Sequence, residues 1–260
     1  MTAHWHTLDG PDGLPLRCWW ALPTDRPPRA AVLVLPEVFG VNGWVRSVAD
    51  RLAAEGFAAL ALPIFARTAP DLELGYDEAG LVEGRRHRDA VTVAGFLADV
   101  GCAIRWLQAQ PGLEGRPVGC VGFCFGGHLA MLAATLPEVA ATCDAYGARV
   151  SCFRPASGAV ENASAPTPSL EPTLAMVPRI PGHLLCLAGD ADPLMPPEEL
   201  AAIAAALEAA SMARPGGPER RLMVLPGAGH GFMCEARADF QPEAAAQAWA
   251  AMLALFRRVL

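Results

Sequence analysis

Residues 119–128 read Gly-Cys-Val-Gly-Phe-Cys-Phe-Gly-Gly-His, and the chain runs on into the Ala- and Leu-rich "LAMLAATL". An apolar run thus leads into a cysteine with a glycine two residues to either side, and a helix-forming stretch follows. Gly122-Phe123-Cys124-Phe125-Gly126 has the spacing of a strand–turn–helix elbow that presents a nucleophile. The central residue of such an elbow sits on a strained turn whose neighbours leave no room for a Cβ, so glycine is required on both sides. The turn points the sulfur of Cys124 away from the sheet. It also puts the Phe125 amide at a helix N-terminus, where free N–H groups and the helix dipole favour negative charge, a thiolate included.

Working outward, short apolar runs bounded by Pro or Gly recur at 30–36, 57–63, 117–123, 183–189 and 221–227, and a further strand ends near Tyr146-Gly147. Runs without polar alternation are those of strands buried on both faces. Helical patterns fall between them at 43–55, 90–110, 126–136, 197–212 and 243–260. Strands alternating with helices predict βαβ crossovers, hence a mostly parallel twisted sheet with helices on both faces. The opening "TLDGPDGLPLRCWWAL" reads as an antiparallel edge hairpin. The spacing predicts one α/β-hydrolase domain over 1–260, interrupted by a Pro-rich inserted loop at about 150–182, where a regular ladder cannot form.

Composition narrows the function. The 260 residues carry a formal net charge of −7, and all 20 basic residues are arginine. That balance provides no basic face for nucleic acid. The apolar runs stop well short of a membrane span and the N-terminus lacks a signal-peptide core, so a cytoplasmic protein is expected. Eight cysteines without CxxC clusters read as reduced thiols. Metal-ligand clusters, phosphate-cradling loops and dinucleotide fingerprints are absent from the sequence, and no cofactor is expected.

An elbow of this kind requires an acid and then a histidine further along the chain. "LAGDADPLMP" places Asp190 and Asp192 just past one apolar strand, and "LPGAGHGF" places His230 just past the next. The Asp-Pro-Leu-Met-Pro surroundings favour Asp192, with Asp190 as the alternative. Taken singly, a cysteine is usually a small hydrophobe and a loop His or Asp a turn residue; three such residues in the required order, each at a strand end, point to catalysis. His128, one turn into the helix, reads as structural. In "VLPEVFGVNGW", Glu37 follows a strand where an oxyanion loop lies, and the Val38 amide becomes the second oxyanion donor beside that of Phe125.

These residues resemble the dienelactone hydrolases, or carboxymethylenebutenolidases. The likeness rests on "PEVFGVNGW", "FAALALPIFARTAP", "VGFCFGGHLA", "GDADPLMP" and "GAGHGF", spread over most of the chain. It implies a Cys124–Asp192–His230 triad, with Glu37 acting on the cysteine as substrate binds, and a small enol-lactone or ester as substrate. It also implies arginines that hold a substrate carboxylate; Arg86, within the Arg85-Arg86-His87-Arg88 run, and Arg237 are the expected candidates, with Phe39 beside the substrate. The family's arginine shortly after the histidine falls here at Cys234, and Arg237 lies three residues on. Two other readings stay open: a general hydrolase of small esters or thioesters, and a non-hydrolytic relative that binds a metabolite or senses oxidants through Cys124.

Overall fold

The computed structural model describes residues 1–157 and 171–260. Its strands are β1 (Thr2–Asp9), β2 (Pro15–Leu22), β3 (Ala31–Leu35), β4 (Ala58–Ala61), β5 (Val118–Phe123), β6 (Val139–Ala145), β7 (His183–Gly189) and β8 (Arg220–Leu225). Its helices are α1 (Gly43–Ala54), α2 (Glu78–Asp89), α3 (Val93–Gln108), α4 (Phe125–Ala133), α5 (Pro197–Met212) and α6 (Pro242–Val259). The strands form one sheet in the order β1-β2-β4-β3-β5-β6-β7-β8. The β1–β2 hairpin is antiparallel and joins β4 antiparallel; from β4 to β8 every pairing is parallel.

The uninterrupted apolar runs of the inner strands follow from burial on both faces. Successive side chains point to opposite sides of a strand, and the two cores divide accordingly. Val32, Val34, Val121 and Phe123 pack with α1 and α6 on one side. Leu33, Leu35, Val118 and Cys120 pack with α3 on the other. Each fully buried Val or Leu contributes roughly 1.5–3 kcal/mol. The carboxamide, carboxylate and hydroxyl side chains that start the helices stop them fraying: Asn42 accepts from the Val45 amide, Asp77 from Gly80 and Thr92 from Gly95.

Residues 171–182 differ from the surface loop expected at about 150–182. Thr173–Arg179 forms a 3-10 helix whose Thr173, Leu174 and Val177 are buried, as is Ile180. Leu174, Val177 and Ile180 recur every third residue, the period of that helix, and the intervening prolines mask the pattern. The middle of the expected loop, 158–170, lies outside the described residues.

Candidate active site

The chain turns from β5 into α4 at Cys124, whose backbone has φ 53 and ψ −117. A left-handed conformation at a non-glycine residue costs on the order of 1–3 kcal/mol and persists only where the surroundings impose it. Here they do. A Cβ on Gly122 would lie 1.9 Å from the Gly126 carbonyl oxygen, and one on Gly126 would lie 2.3 Å from that of Pro36. The Cys124 amide donates to the Ala145 carbonyl at 3.0 Å, anchoring the turn to β6. The thiol is left half-buried and lines a cavity.

His230, in the loop after β8, places Nδ1 2.7 Å from Oδ2 of Asp192, in the loop after β7. Asp192 is held in turn by its second oxygen, which accepts from the Leu194 amide at 2.8 Å. Both residues are buried. Burial by itself would lower the imidazole pKa; the adjacent Cys124 sulfur and the Asp192 carboxylate outweigh it and push His230 up to about 10. Nε2 has no nitrogen or oxygen partner and is left to face Cys124. Asp190, the alternative acid, accepts from the Gly227 amide at 2.6 Å and has no bond to the histidine.

Glu37 is fully buried at the end of β3. Its Oε1 accepts from Arg237 Nη1 at 3.1 Å, while Oε2 has no partner. Burial raises the Glu37 pKa, opposed by Arg237, His230 and Tyr76. Gly231 makes this pairing possible. It adopts φ +82, and a Cβ there would lie 2.6 Å from Arg237 Nε. Val38, Phe39 and Phe125 line the cavity, and the Val38 and Phe125 amides donate to no other group among the described residues.

The cavity, of about 410 Å³, opens at the C-terminal ends of the parallel strands, where sheets of this kind carry their ligands. Arg85, Arg88, Arg149 and Arg237 all border it. Arg86 does not, which corrects the sequence expectation: its side chain is 74% exposed and bonded to Glu83 at 2.8 Å. The helical period explains the error, because Arg85 and Arg88 share a face three residues apart and Arg86 points off it. Arg88 is paired with Asp89, and Arg237 with Glu37 and Asp239. Arg85 and Arg149 have no carboxylate partner among the described residues. Sequence reasoning missed Arg149; its signal was its position just past the end of β6.

His128 also borders the cavity, but its ring is committed elsewhere. Nδ1 donates to the Ala148 carbonyl at 3.0 Å, so Nε2 accepts from the Thr173 hydroxyl at 2.7 Å. Burial lowers its pKa to about 4, which keeps it neutral. Tyr146, another residue the sequence did not single out, packs edge-on against His230 with ring centroids 5.4 Å apart. Among the described residues no group of His, Cys, Asp and Glu side chains could hold a metal ion, and no helix is long and apolar enough to cross a membrane.

Comparison with known proteins places this geometry in context. The family model described as "Dienelactone hydrolase family" matches residues 16–260. A Synechocystis protein named "Putative carboxymethylenebutenolidase" is 35% identical over 229 residues, covering 88% of this chain and 86% of that protein. The carboxymethylenebutenolidase of Pseudomonas putida is 33% identical over 121 residues, 46% of this chain and 51% of its own. The crystal structure titled "Putative Dienelactone Hydrolase" from Klebsiella pneumoniae matches with a TM-score of 0.80 at 26% identity, covering 98% of each chain.

Proposed function

The chain belongs to the dienelactone hydrolase family and is a hydrolase of ester or lactone bonds, and from that premise we propose that it opens a small enol-lactone or ester through a cysteine nucleophile, Cys124. The observation that supports this reading is the thiol on the strained elbow, exposed to the same cavity as a buried imidazole that Asp192 orients at 2.7 Å.

In the proposed cycle His230 Nε2 accepts the thiol proton, and the sulfur of Cys124 adds to the substrate carbonyl. The amides of Val38 and Phe125 stabilise the oxyanion. The carbon–oxygen bond of the ester or lactone then breaks and the imidazolium returns its proton to the departing enolate or alkoxide oxygen. The thioester that remains is hydrolysed by a water whose proton His230 accepts, regenerating the thiol. Asp192 holds the productive tautomer and stabilises the imidazolium. A carboxylate on the substrate would meet Arg85 and Arg149, which have no carboxylate partner among the described residues.

The test is iodoacetamide labelling of the native protein with and without a cis-dienelactone, combined with turnover of that lactone and of p-nitrophenyl acetate. Rapid labelling at Cys124 that the lactone suppresses, with turnover of the lactone, is the expected result. Turnover of the aryl ester alone would keep the hydrolase and discard the dienelactone. Full activity in Cys124→Ala would overturn the nucleophile.

A further inference from the structure

Past the end of β6 the chain makes a turn, residues 146–153, that carries two of the four non-glycine residues with left-handed backbone among those described: Tyr146 at φ 44 and Arg149 at φ 63. A third is Cys124 itself. Strain of this kind persists only where the surroundings impose it, and it collects at functional sites.

The turn is fastened from four directions. The Gly147 amide donates to Asp144 Oδ1 at 2.8 Å, and the Ala148 carbonyl accepts from His128 on α4. The amides of Leu174 and Thr173 donate to the Val150 and Phe153 carbonyls at 2.8 and 3.1 Å. The fourth tie is Glu199, in the first turn of α5, whose carboxylate accepts from the Ser151 amide at 3.1 Å and from the Ser151 hydroxyl. Two side chains of the fastened turn line the cavity, Arg149 and Phe153, and the Arg149 guanidinium lies 5.4 Å from the Phe153 ring centroid. Stacking on a ring restricts a guanidinium while leaving its N–H donors free.

Glu199 calls for an explanation. It is 5% exposed, has no cationic partner among the described residues and does not border the cavity. Burying a carboxylate without a cation is costly. The N-terminus of α5 and the two Ser151 donors offset part of that cost. The arrangement joins two walls of the cavity. From α5 the chain leads back into the loop after β7, whose Pro193 and Leu194 line the cavity and whose Asp192 meets His230, whereas Ser151 belongs to the turn that carries Arg149.

We infer that the turn bearing Arg149 selects substrates with a negative charge and that Glu199, from outside the cavity, is its positioning residue: by holding Ser151 it fixes Arg149 as a preorganised donor to a substrate carboxylate. The inference rests on the hydrolase reading and on Arg149 facing the substrate.

The experiment measures kcat and KM for phenyl acetate and 4-acetoxybenzoate, two acetate esters that differ by one carboxylate, together with Tm. The variants are Arg149→Gln, Glu199→Ala, Glu199→Gln, Ser151→Ala and the double variant Arg149→Gln/Glu199→Ala. Wild type should show the lower KM for 4-acetoxybenzoate. Glu199→Ala should raise that KM by roughly three- to tenfold with kcat little altered, and leave both constants for phenyl acetate within about twofold of wild type. Glu199→Gln still offers a carbonyl oxygen to the Ser151 amide and should retain most of the selectivity. Ser151→Ala loses only the hydroxyl bond and should raise the same KM by roughly twofold. In the Arg149→Gln background, Glu199→Ala should cause no further loss of selectivity.

Equal losses on both esters in Glu199→Ala, no loss on either, or a selectivity loss that persists in the Arg149→Gln background would overturn the inference, because Glu199 would then support the fold and not the placement of Arg149. Should Glu199→Ala fail to fold, Ser151→Ala decides by the same criteria. Failure of the parent reading looks different. An Arg149→Gln variant that keeps the wild-type KM for 4-acetoxybenzoate removes Arg149 from substrate binding and this inference with it, whereas full turnover in Cys124→Ala removes the nucleophile and leaves the charge selectivity standing.

Discussion

His230 and Asp192, 38 residues apart in sequence, are joined by a 2.7 Å hydrogen bond between Nδ1 and Oδ2 inside a shell that excludes solvent from both. The contact determines which imidazole nitrogen is available to the thiol. An asparagine at 192 can present its amide N–H₂ to Nδ1 and invert the tautomer. Asp192→Asn should therefore lower kcat for p-nitrophenyl acetate by roughly 10³–10⁴-fold with the fold intact. Asp190→Asn should stay within a few-fold of wild type, and the reverse ranking would exchange the roles of the two acids.

The elbow glycines give a stability prediction. Because a Cβ on Gly122 would lie 1.9 Å from a backbone oxygen that cannot move without unwinding the first turn of α4, Gly122→Ala should destabilise by about 2–3 kcal/mol or more. Urea unfolding would measure it. A variant of wild-type stability would mean that the turn relaxes in a way the packing does not suggest.

Substrate charge should be read by the cavity arginines that have no carboxylate partner among the described residues. For a carboxylate-bearing lactone, Arg85→Gln and Arg149→Gln should each raise KM by roughly tenfold, as expected when one charge-assisted hydrogen bond is lost. For the neutral p-nitrophenyl acetate they should have little effect. Arg86→Gln should be silent on both. Equal effects on the charged and neutral substrates would assign Arg85 and Arg149 to the scaffold.

His128 provides a pH prediction with a definite sign. Its pKa is depressed from 6.5 to about 4 by burial, so between those values the unfolded chain binds the extra proton. The stability from its neutral hydrogen bonds is fully present above pH 6.5 and is lost as pH falls toward 4, by about 3 kcal/mol in all. Denaturant midpoints measured across that range should show the loss, and His128→Gln should flatten the slope. An unchanged slope in the variant would remove His128 as the titrating group.

Much of the site is legible in the sequence because its parts are short and local. An elbow needs only five residues, Gly122 to Gly126, to define its turn, and strands buried on both faces declare themselves as unbroken apolar runs. The position of an acid or histidine just past a strand end follows from the same reading. Long-range choices are not legible. Asp190 and Asp192 both follow β7, and only the fold shows that Asp190 ties down the Gly227 turn while Asp192 meets His230. The helical register of α2 turns Arg86 outward and Arg85 inward, a distinction that hangs on how the helix lies against the cavity.

By itself the sequence determined the α/β architecture, the glycine-flanked elbow at Cys124 and the order of the acid and histidine that follow it, because backbone sterics and hydrophobic periodicity act over a few residues. Only the tertiary structure decided which charges meet. The pairing of Glu37 with Arg237, 200 residues away, the absence of a carboxylate beside Arg85 and Arg149 among the described residues, and the left-handed Tyr146 packed against His230 depend on distances and burial, which electrostatics senses in space and not along the chain.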